Sequence, residues 1–240
     1  MTSETARDFN LRRLARHGAI GKHGALTVRA LRNGYRTIVE PVYRRIPFQW
    51  EGYHYQDRDD EPFLLLINSA GGLVEGDTSY FGCTLEPNTR LLVTSTNAQK
   101  FFKTVDGAEA ADFVQMEVGA GGLLEYLPDE TIPYARSRCR RSCRIDLAAD
   151  SWLFASDIMS AGRIAHSGGE RFEFDSLTSR FEVSIGGRLA LAERLVAPTG
   201  ADIKELSKLW AGANHSGLVV VHAPGCASSI ESAIRTRLRV

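Results

Sequence analysis

From Phe63 to Leu195 the chain repeats one unit, a short run of β-type composition followed by a turn. The turns fall at Gly71-Gly72, Pro87-Asn88, Asp106-Gly107, Gly119 to Gly122, Ala149-Asp150, Gly168-Gly169 and Gly186-Gly187. Within the runs apolar residues alternate, as at Phe81, Cys83 and Leu85, at Val114, Met116 and Val118, at Phe172 and Phe174, and at Phe181, Val183 and Ile185. A period of two lines one face of a strand. Evenly spaced strands with turn punctuation predict a mainly β fold of stacked strands, either a β-helix-like solenoid or a sandwich or barrel. Periodicity alone does not choose among these.

Upstream, Leu26, Val28 and Ala30, then Thr37, Val39 and Val42, flank Asn33-Gly34, a strong hairpin signal. Helical spacing appears only late. Ile203, Leu206 and Trp210 share one face of a helix over 202–210, and Ser228 with Glu231 reads as a capping box for a helix through Arg235. Between them, 218–221 reads as a short buried strand. The chain divides into an arginine-bearing arm (1–22), a β body (23–197) and a small αβ appendage (198–240), together one domain. His17 and His23 fall at the arm.

The 240 residues carry 29 Lys plus Arg and 29 Asp plus Glu, a formal net charge of zero. Nonspecific nucleic-acid binding needs a basic surplus, so that class is disfavoured. The longest apolar run, near 218–221, is far too short to cross a bilayer, and the N-terminus lacks the apolar stretch of a signal peptide. A cytoplasmic protein is expected. The four cysteines, Cys83, Cys139, Cys143 and Cys226, are too scattered for a disulfide framework. On one strand Cys139 and Cys143 would lie roughly 13 Å apart, which suits small buried apolar residues and not a metal pair.

Chemistry-bearing residues gather at the breaks. The apolar run 63–67 stops at Asn68 and is followed by Gly71, Gly72, Gly76 and Asp77. No Lys-Ser/Thr pair follows the last glycine, and Glu75 and Asp77 would repel a phosphate, so a nucleotide loop is rejected. The plain reading is a tight turn with solvated acids. The charged run 56–61 reads as an exposed loop. In the cluster Arg136, Arg138, Arg140, Arg141 and Arg144, strand geometry sends Arg138, Arg140 and Arg144 to one face. Arg141 goes to the other with Cys139 and Cys143. The stripe reads either as a charged edge that discourages aggregation or as an anion- or protein-facing surface.

Asp157 and Glu193 each interrupt an apolar run. A carboxylate in a core is costly unless it is paired, metal-bound or wet. Arg163 and Arg194 are candidate ion-pair partners; alternatively Asp77, Asp157 and Glu193 line a polar passage through the β body. No His-Glu-x-x-His, Gly-x-Ser-x-Gly, Cys-x-x-Cys or Walker lysine is present.

Four segments in order carry a resemblance. They are Gly71-Gly72-Leu73-x-x-Gly76-Asp77, then Lys100-Phe101-Phe102, then Leu124-Glu125-Tyr126-Leu127-Pro128-x-Glu130-Thr131-Ile132, and Asp157-Ile158-Met159-x-x-Gly162-Arg163 followed by Gly169-Glu170-x-Phe172. Together they resemble the urease accessory protein UreD family, also called UreH. The resemblance implies a stacked β architecture and a maturation factor that is not itself an enzyme. Such a factor binds the urease apoprotein, docks UreF and the GTPase UreG, and leaves room for a homodimer within the complex. It implies no permanently bound cofactor. Nickel would be in transit through an internal polar tunnel, with the family's acidic positions falling on Asp77, Asp157 and Glu193. Glu75 stands where the family turn usually has glycine, and the chain stops short of the family's usual tail. The alternatives are a hydrolase using a carboxylate pair and a β scaffold for a partner unrelated to urease.

Overall fold

The computed structural model describes residues 21–56, 58–166 and 168–237. The arm reading over 1–20, His17 included, lies outside the described residues. His23 opens the first strand, and its Nδ1 lies 2.7 Å from Thr78 Oγ1.

Strands β1 (His23–Asn33) and β2 (Arg36–Arg45) form a hairpin with Asn33 opposite Arg36. Its loop is therefore Gly34-Tyr35, one residue beyond the sequence signal. Gly34 has φ 63°, as a two-residue hairpin loop requires of its first residue. Thr27 pairs with Tyr43 but Val28 with Pro41, so Val42 bulges out of the ladder. That extra residue breaks the alternation and leaves Val42 50% exposed, whereas Thr37 and Val39 are buried as expected.

The remaining strands are β3 (Phe48–Gln49), β4 (His54–Tyr55), β5 (Pro62–Asn68), β6 (Thr78–Leu85), β7 (Arg90–Ser95), β8 (Gln99–Phe101), β9 (Ala110–Val118), β10 (Leu123–Leu127), β11 (Thr131–Pro133), β12 (Arg138–Leu147), β13 (Trp152–Ser160), β14 (Ser176–Ile185), β15 (Arg188–Ala197) and β16 (His215–His222). They form two sheets. One has the order β15-β14-β12-β9-β6-β1-β2; the other runs β3-β5-β7-β10-β13-β11-β8, with β16 on β13 and β4 on β5. From β5 to β14 the chain passes repeatedly from one sheet to the other, and successive coils pair in parallel. Of the architectures open to the sequence, this is the β-helix-like solenoid.

In-register stacking builds the core. In the first sheet Val28, Cys83, Met116, Ile145 and Val183 form one transverse row, all buried. Leu64, Val93, Tyr126 and Ala155 form the facing row of the second sheet. Burying each such side chain contributes about 1.5–3 kcal/mol, so the alternation visible in sequence is what closes the two sheets on each other. Cys83, Cys139 and Cys143 are buried free thiols, and burial pushes the Cys139 thiol up to about 12.

The C-terminal elements belong to this body. Helix α1 (Gly200–Leu209) starts at Thr199, whose side chain and that of Asp202 cap each other's backbone N–H groups. It buries Ile203 and Leu206 in a second core with Leu73, Phe101, Met159 and Phe174. Strand β16 is longer than the buried run read in sequence and alternates, with Val219 and Val221 exposed. It extends the second sheet. Helix α2 (Ala227–Arg237) begins before Ser228, so Ser228 does not cap it; Glu231 pairs with Arg235 at 2.9 Å. Phe172 and Phe174 lie in the loop between β13 and β14 and not in a strand, Phe172 with φ 56°.

Strand β12 is internal to its sheet, so its arginines do not guard an edge. Arg138, Arg140 and Arg144 do point outward, each beside a carboxylate: Asp175 at 3.8 Å, Glu109 at 2.8 Å and Asp146 at 2.8 Å. In the charged run, Asp60 and Glu61 are partly buried, and Asp60 meets Arg58 and Arg90.

Candidate functional site: the polar end of the inter-sheet core

One row above Phe81 and Val114, the inward ladder of the first sheet turns polar. Ser79, Asp112, Arg141 and Ser179 stand side by side in register. From the second sheet Asp157, in phase with buried Leu153 and Ala155, reaches Arg141 Nη2 at 2.6 Å. The two side chains are only 10% and 16% exposed. Burial pushes the Asp112 carboxyl above the usual carboxylate range, opposed by the Arg141 guanidinium and a hydrogen bond from Ser79. Burial likewise pushes the Tyr126 phenol well up.

Ser79, Asp112, Tyr126 and Arg141 line a cavity of about 60 Å³ between the sheets, together with Asn68, Gln99 and Asp129. One ordered water needs roughly 10–15 Å³. Among the described residues four buried N–H-bearing atoms here have no hydrogen-bond partner: Asn68 Nδ2, Gln99 Nε2, Arg141 Nε and Arg141 Nη1. Stranded donors in a roomy polar space are satisfied by water, so this end of the core is wet.

Of the four sequence segments the third lines that end with Tyr126, Pro128 and Thr131, and backbone pairing ties the others to it. Gly72 and Leu73 dock on β8: Leu73 N–H donates to the Lys100 carbonyl and Phe102 N–H to the Leu73 carbonyl, both at 2.8 Å. A Cβ on Gly72 would lie 2.7 Å from the Lys100 carbonyl oxygen. Thr131 pairs with Gln99 on one side and Met159 on the other, and Pro128 lines the cavity. Beyond Met159, Gly162 carries φ 143°, and Arg163 Nε donates to Glu170 at 2.7 Å while its guanidinium lies 4.3 Å from the Tyr134 ring centre. Gly71 and Gly76 hold the first turn at φ 70° and 74°. Glu125 points away, to the outer face of the second sheet, between inward Leu124 and Tyr126.

Asp77, Asp157 and Glu193 occupy three different settings. Asp77 is 3% exposed, and its carboxylate accepts the backbone N–H of Lys22 at 2.6 Å and of Val74 at 3.1 Å. It staples the turn to β1. Glu75 accepts three N–H groups from 105–108, so neither acid of the turn is simply solvated. Glu193 lies in register with Phe181 on the outermost strand, yet is exposed. The three therefore do not line one enclosed passage. Nor do the expected ion pairs form: Arg141 serves Asp157, Arg163 pairs with Glu170 and Arg194 with Glu182. Among the described residues no three His, Cys, Asp or Glu side chains stand close enough to hold a metal ion. Asp112 and Arg141 are the residues that the site reading missed, although both sit in phase with core positions of their strands.

Asp77→Ala removes the acceptor of two part-buried backbone N–H groups, hydrogen bonds to a charged group being worth about 1.5–3 kcal/mol each. A fall in Tm of roughly 5–15 °C is expected by circular dichroism; an unchanged Tm would refute the stapling role.

Residues 22–239 match the family model for the UreD urease accessory protein. The chain belongs to the UreD family. It is 32% identical to urease accessory protein UreD 3 of Methylorubrum populi over 228 residues, covering 92% of this chain and 72% of that protein. To UreD 2 of the same organism it is 33% identical over 170 residues, 70% of this chain and 56% of the relative. A UreD of Cenarchaeum symbiosum is 28% identical over 218 residues, 89% and 75%. The chain thus spans little more than half of one of these UreD relatives and about three quarters of the others. Among the described residues no helix is long and apolar enough to cross a membrane.

Proposed function

We propose that this UreD-family chain is a non-catalytic docking scaffold of urease maturation in the cytoplasm. It binds the urease apoprotein together with UreF and the GTPase UreG, and nickel passes through its polar inter-sheet space. The observation that carries the reading is the polar cavity, which the third UreD-like segment lines with Tyr126, Pro128 and Thr131, Thr131 being paired with Gln99 just before the second segment. Nickel is cargo here. Asp112 and Asp129, which line the cavity, offer oxygen atoms, which suit exchangeable Ni²⁺ better than thiolates do. A hydrated cation presents outward O–H groups to such carboxylates, while the Arg141 charge keeps the hold weak. Asp112 and Asp157 flank the same guanidinium and do not face each other across an open cleft, which disfavours a glycosidase-type acid and base.

Co-expression with urease, UreF and UreG tests this. The wild-type chain is expected to retain UreF and UreG in a pull-down. Asp112→Asn is expected to retain them equally while lowering urease nickel content several-fold. Unchanged nickel content would remove the cavity from the nickel route, and failure to retain the partners would remove the scaffold reading.

A further inference from the structure

The outer face of the second sheet is apolar across its width. Phe63, Leu92, Glu125, Phe154 and Val221 form one outward row in register over β5, β7, β10, β13 and β16. Their chain neighbours Leu64, Val93, Tyr126 and Ala155 are buried on the other side. Trp152 and Val219 widen the patch, at 37% and 61% exposure; Phe154 and Val221 are each 38% exposed. Single exposed apolar residues are ordinary, but a contiguous patch marks an interaction site.

The chemistry of the occupant is set by Glu125. It sits half-buried in the middle of this row, and among the described residues it has no hydrogen-bond or ion-pair partner. Glu61 lies near enough for its carboxyl to be pushed up by burial and by the Glu125 charge, but its own charge is met by Arg58 at 3.7 Å and by Arg90, which leaves Glu125 as the unmet carboxylate of this face. A half-buried unpaired carboxylate becomes costly once apolar surface covers it, unless the cover brings a cation. A second copy of this chain is a poor cover. A two-fold contact centred on the row sets Glu125 against its own twin.

We propose that this face docks a different protein, through an apolar surface carrying an arginine or lysine that meets Glu125. The inference rests on the scaffold reading above and assigns that reading a surface. The test co-expresses urease, UreF and UreG with the wild-type chain, Phe154→Ser/Val221→Ser, Glu125→Arg, Glu125→Gln, and Leu189→Ser as a control on the outermost strand of the first sheet. The first two variants are expected to weaken retention of one partner about tenfold or more, the effect of losing a central interface anchor. Glu125→Gln weakens it less, and Leu189→Ser leaves it unchanged. Circular dichroism melts should stay within a few degrees of wild type throughout. If the wild-type chain retains its partners and the face variants do so equally well, this inference falls and the scaffold reading stands. If the wild-type chain retains none, both fall. Sedimentation showing a wild-type dimer that Phe154→Ser/Val221→Ser dissolves would assign the face to a second copy and overturn it.

Discussion

Arg141→Met is expected to lower Tm by roughly 6–20 °C. Removing one partner of a buried ion pair costs about 3–5 kcal/mol, because the other charge is left without compensation; in a domain of this size each kcal/mol moves Tm by about 2–4 °C. Here the stranded charges are Asp157, 16% exposed, and Asp112 beside it. Arg141→Met/Asp157→Leu is expected to recover most of the loss, since apolar replacement of a whole buried pair is often neutral or better. The deficit of the single variant also depends on pH. Asp112 holds its proton more tightly folded than unfolded. A folded state that binds more protons loses stability as pH rises from the ordinary carboxylate range up to the raised value. Arg141 opposes that rise, so the Tm deficit of Arg141→Met should widen as pH rises above the ordinary carboxylate range. A deficit that narrows, or a double variant no better than the single, would show that the pair does not carry this energy.

The second large effect is Gly162→Ala. At φ 143° an L side chain is strained, and the added Cβ would lie 2.6 Å from the Glu170 carbonyl oxygen and 3.5 Å from that of Pro133. Both obstacles are backbone, so neither can rotate away. Strain of about 1–3 kcal/mol adds to an overpacking cost of about 1–3 kcal/mol. The loop carrying Arg163 and Glu170 must then move, which loosens the guanidinium from the Tyr134 ring. Two other glycines separate the causes. Gly168→Ala meets nothing within 4 Å but has φ 91°, and Gly217→Ala meets nothing at an ordinary φ. The expected order of destabilisation in urea is Gly162 over Gly168 over Gly217. Equal midpoints for the first two would remove the clash from the account.

The ladder rows of the core were legible because parallel coils repeat their phase: Cys83, Met116, Ile145 and Val183 can be aligned from turn to turn by counting. The same counting puts Asp112 in phase with Val114 and Arg141 with Cys143, and two in-phase charges on neighbouring coils were the available signal for the polar end of the core. What counting cannot supply is contact across the sheets. Asp157 meets Arg141 only because β13 and β12 face each other, and nothing along the chain favours Arg141 over Arg163 or Arg194. Glu193 misled for a related reason. Its run, Leu189 to Leu195, is as apolar as a core strand, but it lies last in the sheet order, where little covers it. Asp77 was legible as a turn residue, its Val74 N–H partner being local to that turn, while its Lys22 N–H partner required β1 to lie beside β6.

The order of the first sheet has one more consequence. A stack of parallel coils has no intrinsic end, since each coil offers the next the backbone pattern that it received, and such a stack can template further chains into a filament. Both terminal strands of this sheet run antiparallel to their neighbours, which breaks the coil register. Each also carries a bulge that an incoming strand would have to match: Val42 in β2, and Ala190 in β15. The two ends of this sheet are thus its least regular strands, and what stops the stack from offering a continuous template is irregular backbone and not a missing surface.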